Sequence, residues 1–216
     1  CLLYARALFD SNQHRAAIEF VQTSAVDLGA EGRFWLAQAH AANGDWPEAL
    51  EAFSLCLAQP GFVFRNEALI GRARMLQNLD RKKEAVEILA PAVDWPASPI
   101  RNTALQELAG LFLDNNDAQA AEDILKKIQP ESSRDKSRQD LLLARAAILR
   151  KDNDLALKLV APLVPLDPAM ATDAAILHSI ALTRTGRSQE AENLLEEFIA
   201  ANPEAPGLER IFQQLD

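Results

Sequence analysis

The chain has 216 residues, with 22 Lys plus Arg against 31 Asp plus Glu, a formal net charge of −9. Ala (38) and Leu (32) supply about a third of it while Val, Ile and Thr together number 23, which favours helix and argues against a β-sandwich or barrel. The 49% apolar fraction excludes a disordered chain, the lack of an apolar run near about 18 residues excludes a spanning helix, and the acidic balance speaks against a nucleic-acid partner.

In chain order, apolar periodicity and helix punctuation predict helices over 1–10, 14–27, 31–43, 46–59, 64–79, 82–93 and 99–114. They continue over 118–129, 134–150, 153–163, 168–185, 188–201 and 205–215. Ser98-Pro99 and Asp167-Pro168 each set a capping side chain before a proline suited to a first helical turn. The stretch 129–136 is charged and loop-like, and a hinge between groups of helices is expected there. Cys1 leads straight into helix, so the chain is read as a piece of a longer protein and not as a processed lipoprotein. Its compartment, cytoplasm or bacterial periplasm, stays open. Two cysteines make no disulfide framework.

One pattern recurs six times: an apolar helix with a small residue, a short polar turn, then an alanine followed one turn later by a larger apolar side chain. The aligned alanines are Ala17, Ala49, Ala85, Ala121, Ala156 and Ala191, and twelve residues before each lies Ala5, Ala37, Ala73, Ala109, Ala144 or Ser179. Small residues in this register let two antiparallel helices approach closely. Val21, Phe53, Leu89, Leu125, Val160 and Leu195 then fill the space towards the next pair. Gly44 and Gly186 suit the left-handed conformation that ends a helix, with Asn12, Asp80 and Asn116 as partial substitutes. A pair of helices cannot bury its own apolar face, so the pairs must stack.

The arrangement resembles the tetratricopeptide repeat. The second repeat matches best, with Leu36-Ala37, His40, then Ala49, Phe53, Cys56 and Pro60, and the sixth follows with Gly186, Ala191, Leu195 and Pro203. The resemblance implies an all-α fold, a right-handed α-α superhelix of helix hairpins forming a single solenoid over 1–216. Its repeats would span 1–27, 31–59, 64–93, 99–129, 134–163 and 168–201, closed by a capping helix at 205–215. The pentatricopeptide repeat, of similar length, reads RNA and would need a basic face that this composition lacks.

Catalytic and metal signatures do not appear. His14, His40 and His178 fall at unrelated offsets, and His40 and Cys56 read as packing residues. The eight glycines form no phosphate-binding loop and no nucleophile elbow. No cofactor is expected. Trp35, Trp46 and Trp95 read as packing or turn anchors.

By the resemblance, a concave wall is built from the first helix of each pair, and it would present Arg6, Phe9, Phe34, Gln38, Ile70, Arg74, Gln77, Gln106, Leu141 and Arg145. Arg6, Arg74 and Arg145 share one phase and Arg138 is placed to join them. Such arginines beside apolar side chains would suit an extended protein or peptide segment with acidic and apolar residues. The same arginines could instead pair with Glu67 and Glu107. The carboxylate clamp of chaperone-binding relatives is not expected, because the matching positions hold Leu2, Arg6, Trp35, Glu67 and Gly71. The expected function is a non-catalytic protein-interaction scaffold. The alternatives are a structural or assembly subunit of a larger complex, and a regulatory segment of a larger enzyme. The oligomeric state is left open.

Overall fold

The computed structural model of the protein describes residues 2–23, 29–162 and 168–215. Among the described residues there is no strand, and the chain forms two compact units, Cys1–Pro96 and Ala97–Asp216.

The first unit holds α1 (Leu2–Asp10), α2 (His14–Thr23), α3 (Gly29–Asn43), α4 (Trp46–Leu57), α5 (Arg65–Asn78) and α6 (Lys82–Leu89), followed by a 3-10 turn, Ala90–Asp94. The second holds α7 (Pro99–Asp114), α8 (Ala118–Leu125), α9 (Ser133–Leu149), α10 (Asn153–Val160), α11 (Pro168–Arg184), α12 (Ser188–Ala201) and α13 (Leu208–Leu215). In each unit every helix packs on its neighbours in sequence, and first helices also pack on one another: α1 on α3, α3 on α5, α7 on α9 and α9 on α11. The last helix, α13, packs on α11 and α12, where Ile211 is fully buried with Ala175, Ile176 and Leu195.

The recurring small residues are the contact between paired helices. Ala5, Ala37, Ala73, Ala109, Ala144 and Ser179 on the first helices, and the six aligned alanines on the second, are all at most 4% exposed. One turn on, Phe53, Leu89, Leu125, Val160 and Leu195 are buried, each such side chain contributing about 1.5–3 kcal/mol of transfer free energy. His40 and Cys56 are buried as well. Burial pushes the Cys56 thiol up to about 11, and its Sγ–H donates to the Phe53 carbonyl at 3.1 Å, so it packs as a small apolar group.

The turn inside each pair is also repeated. Asn12, Gly44, Asp80, Asn116, Lys151 and Gly186 each lie five residues before an aligned alanine, and all have positive φ, between 58° and 87°. In each, the next residue's N–H reaches back five positions to the first helix, from Gln13 to Leu8 (2.9 Å), Asp45 to His40 (3.0 Å) and Asp152 to Ala147 (2.9 Å), for example. That bond satisfies a carbonyl the helix end would leave orphaned. The second helix then starts at once. Asp117 and Asp152 accept from the N–H groups of Ala120 and Leu155, whereas Arg81 and Arg187 hold Glu84 and Glu190 in bidentate pairs three residues on. These arginines hold both glutamates below the usual carboxylate range.

Several helix ends differ from the sequence expectation. The helix expected to reach 93 stops at Leu89, because Pro91 lacks an N–H and the chain tightens into the 3-10 turn. The one expected to reach 129 stops at Leu125, ahead of Pro130. The last starts at Leu208, after Pro206 and a left-handed Gly207 (φ 79°). Ser98 caps α7 as expected, while Asp167 and the ends expected near 27 and 163 lie outside the described residues. The charged stretch at 129–136 is tied down within the second unit. Asn102 Nδ2 donates to the Gln129 carbonyl (2.8 Å), Gln106 Nε2 to the Asp135 carbonyl (3.3 Å), and Ser132 caps α9 through the Asp135 N–H.

Candidate functional site

The second unit contains a cleft of about 350 Å³ lined by Leu141, Leu142 and Arg145 of α9, Asp173, Ile176 and Leu177 of α11, and Arg210 of α13. Residues 141, 142 and 145, and 173, 176 and 177, recur at three- and four-residue spacing, so each helix turns one stripe towards the cleft. The packing of α9 on α11 fixes the distance between the stripes, and α13, which packs on α11, closes one side. Four aliphatic side chains make the apolar lining. Arg145 Nη2 bonds Asp114 Oδ1 at 2.6 Å and Arg210 Nη1 lies 2.8 Å from Asp173 Oδ1. The two guanidinium side chains remain 40% and 53% exposed, so each keeps donors directed at solvent.

Two of the expected wall residues of this unit, Leu141 and Arg145, therefore line one cleft. Arg138 lies outside its lining and pairs with Glu107 at 2.8 Å. Gln106 is buried and spent on the Asp135 carbonyl, so it offers no contact surface. Asp173 and Arg210 were missed by sequence reasoning. Asp173 lies off the expected wall register, and Arg210 sits on a helix whose position no repeat pattern specifies.

In the first unit, Phe34 and Ile70 are each 3% exposed, and so belong to the core and not to a ligand-facing wall. Phe34 stacks on Phe64 with ring centroids 5.3 Å apart and meets Phe53 edge-on at 6.2 Å. The half-buried rings of Phe9, Trp35 and Phe64 continue this cluster, with centroids 5.6 and 6.3 Å apart. The Arg6 guanidinium lies 5.2 Å from the Trp35 ring centroid and 3.5 Å from Asp10. Gln38 and Gln77 are half-buried and Arg74 is exposed. Gly71, at a clamp position of the chaperone-binding relatives, is buried beneath the Phe53 ring.

Among the described residues no group of His, Cys, Asp and Glu is arranged to hold a metal ion, and no helix is long and apolar enough to cross a membrane.

Comparison with known proteins bears on the fold. The tetratricopeptide repeat family matches residues 2–61. No curated protein matches the chain. Among solved structures, a tetratricopeptide repeat protein from Parabacteroides merdae is similar, with a TM-score of 0.71 at 18% identity over 92% of this chain and 77% of that one. The C-terminal part of a TPR repeat-containing protein from Cytophaga hutchinsonii has a TM-score of 0.68 at 15% identity, covering 94% and 80%. The assembly chaperone of RpL4 has a TM-score of 0.65 at 14% identity, covering 97% and 92%. At these identities the likeness is one of fold, that of the tetratricopeptide solenoid.

Proposed function

We propose, for a chain whose residues 2–61 belong to the tetratricopeptide repeat family, that it is a non-catalytic scaffold which binds an extended protein segment against its first helices. Repeats of this kind mediate protein–protein interaction. The observation that supports the reading is the α9–α11–α13 cleft, where Leu141, Leu142, Ile176 and Leu177 lie between two exposed arginines. An apolar lining with a few placed polar groups is the ordinary composition of a binding cleft. Arginine offers planar paired donors to a carboxylate, and Arg145 and Arg210 already hold one each. A ligand carboxylate would share or displace Asp114 and Asp173, so the segment that fits has acidic and large apolar side chains in alternation.

The test is a peptide-display selection on the full chain, followed by fluorescence anisotropy with the winning sequence. The expected result is enrichment of segments combining Glu or Asp with Leu, Ile or Phe. The variant Arg145→Glu with Arg210→Glu should bind at least tenfold more weakly at unchanged helicity. Equal affinity of the two proteins would remove the cleft from the reading.

A further inference from the structure

We infer that the second unit carries another docking site, at the C-terminal end of α9, for a segment with a carboxylate beside a large apolar side chain. It is a cleft of about 500 Å³ lined by Ile148, Leu149, Lys151, Asn153 and Arg184. These residues come from the end of α9, the turn into α10, and the last turn of α11. None of them lines the cleft formed by α9, α11 and α13, so this inference rests on separate observations.

The first observation is charge. In the other cleft each arginine is matched by an aspartate, Asp114 for Arg145 and Asp173 for Arg210. Here, among the described residues, neither Lys151 nor Arg184 forms an ion pair, in a chain whose net charge is −9. The nearest acid in sequence, Asp152, is occupied in capping the Leu155 N–H at 3.1 Å. Arg150 is turned to Glu122, with bonds of 2.8 and 2.9 Å. Two cations without an acidic partner favour an anionic ligand.

The second observation is how those cations are held. Arg184 Nη1 donates to the Ile148 carbonyl at 2.9 Å, which fixes the guanidinium at the cleft wall and leaves its other N–H groups available. Lys151 has φ 64° at the turn position that Asn, Asp or Gly fills in the other five repeats. A long side chain gains nothing in that backbone conformation, and strained positions of this kind cluster at ligand sites. The third observation is the apolar component. Leu149, in the lining, and Leu155, past the turn, are 37% and 42% exposed, whereas the other described large apolar side chains of this unit, Phe212 apart, are buried or half-buried. Lys151, Arg184 and the exposed Leu149 in one lining match an acidic, leucine-like segment in both parts.

The experiment is titration of the ¹⁵N-labelled full chain with the peptide acetyl-Glu-Leu-Glu-Leu-amide, followed by amide chemical shifts. The expected result is saturable shifts at Leu149, Lys151, Asn153 and Arg184, at least tenfold weaker with acetyl-Lys-Leu-Lys-Leu-amide. In the variant Lys151→Gly with Arg184→Gln, which retains a donor for Ile148, the apparent Kd at those amides should rise at least tenfold. Shifts at Leu141 and Leu177 should be unchanged in that variant. The site is refuted if those four amides stay still at millimolar peptide, if the lysine peptide binds equally, or if the variant binds like the parent. Shifts confined to Leu141 and Leu177 would refute it while leaving the other cleft as the ligand site.

Discussion

Gly71→Ala is the most direct test of how closely these helices nest. Gly71 is on α5, and a Cβ placed there would lie 2.7 and 2.9 Å from Cε1 and Cε2 of Phe53, and nearer still to Cζ. Carbon atoms sit at about 3.5–4.0 Å at best separation, so the ring or the backbone must retreat by roughly 1 Å. The Phe53 ring has no exposed surface and is backed by Phe34, so the load falls on the spacing of α4 and α5. Overpacking of this kind costs about 1–3 kcal/mol, and alanine returns about 0.5–1 kcal/mol of helix propensity. Three ring carbons are met at once, so the upper half of that range applies and the net destabilisation is about 1–2 kcal/mol. Urea unfolding followed by helical circular dichroism measures it. Phe53→Leu in the Gly71→Ala background should cost less than Phe53→Leu alone, with a coupling of about 1 kcal/mol. A Gly71→Ala protein as stable as its parent, or strictly additive effects of the two substitutions, would refute the packing account.

Three further outcomes follow from other parts of the molecule. Ala109→Leu should lower stability by roughly 1–3 kcal/mol, because Ala109 is fully buried between paired helices; an unchanged melting temperature would break the proposed register. Lys151→Gly should raise stability by about 0.5–1 kcal/mol, since relief of about 1–2 kcal/mol of left-handed strain exceeds the added freedom of the unfolded glycine; calorimetry reads the sign. Burial, aided by the nearby Arg187, holds the His178 imidazole below its ordinary value of 6.5. The unfolded chain then binds the proton more readily than the folded one, so stability should be full above about pH 6.5 and fall as pH drops below it. His178→Gln should flatten that part of the profile, and an identical slope in the variant would exclude His178 as its source.

The site was only partly legible. Leu141 and Arg145 were found because they sit at a repeated offset from Ala144, and the structure sets both in one cleft. Phe34, Ile70 and Gln106 sat at an equally regular offset but are buried. The offset fixes an angle on one helix and says nothing of how far the neighbouring segment leans over it. For Phe34 that neighbour is the Phe62–Phe64 turn, and for Gln106 it is the carbonyl of Asp135. Arg210 and Asp173 meet only because α13 folds back on α11, which no local pattern encodes.

The amino-acid order by itself determined the helices (though not all their ends), their pairing and five of the six turns that join the pairs, Lys151 alone giving no such signal. These depend on contacts within about 20 residues: small side chains where axes cross, and Gly, Asn or Asp where the backbone must turn left-handed. Only the tertiary structure decided which arginines are neutralised and which stay open. Asp114 reaches Arg145 across 31 residues and Glu122 reaches Arg150 across 28, while Lys151 and Arg184 meet no acid among the described residues. Charge pairing between successive repeats depends on side-chain reach across the stack, a distance that helix periodicity does not contain.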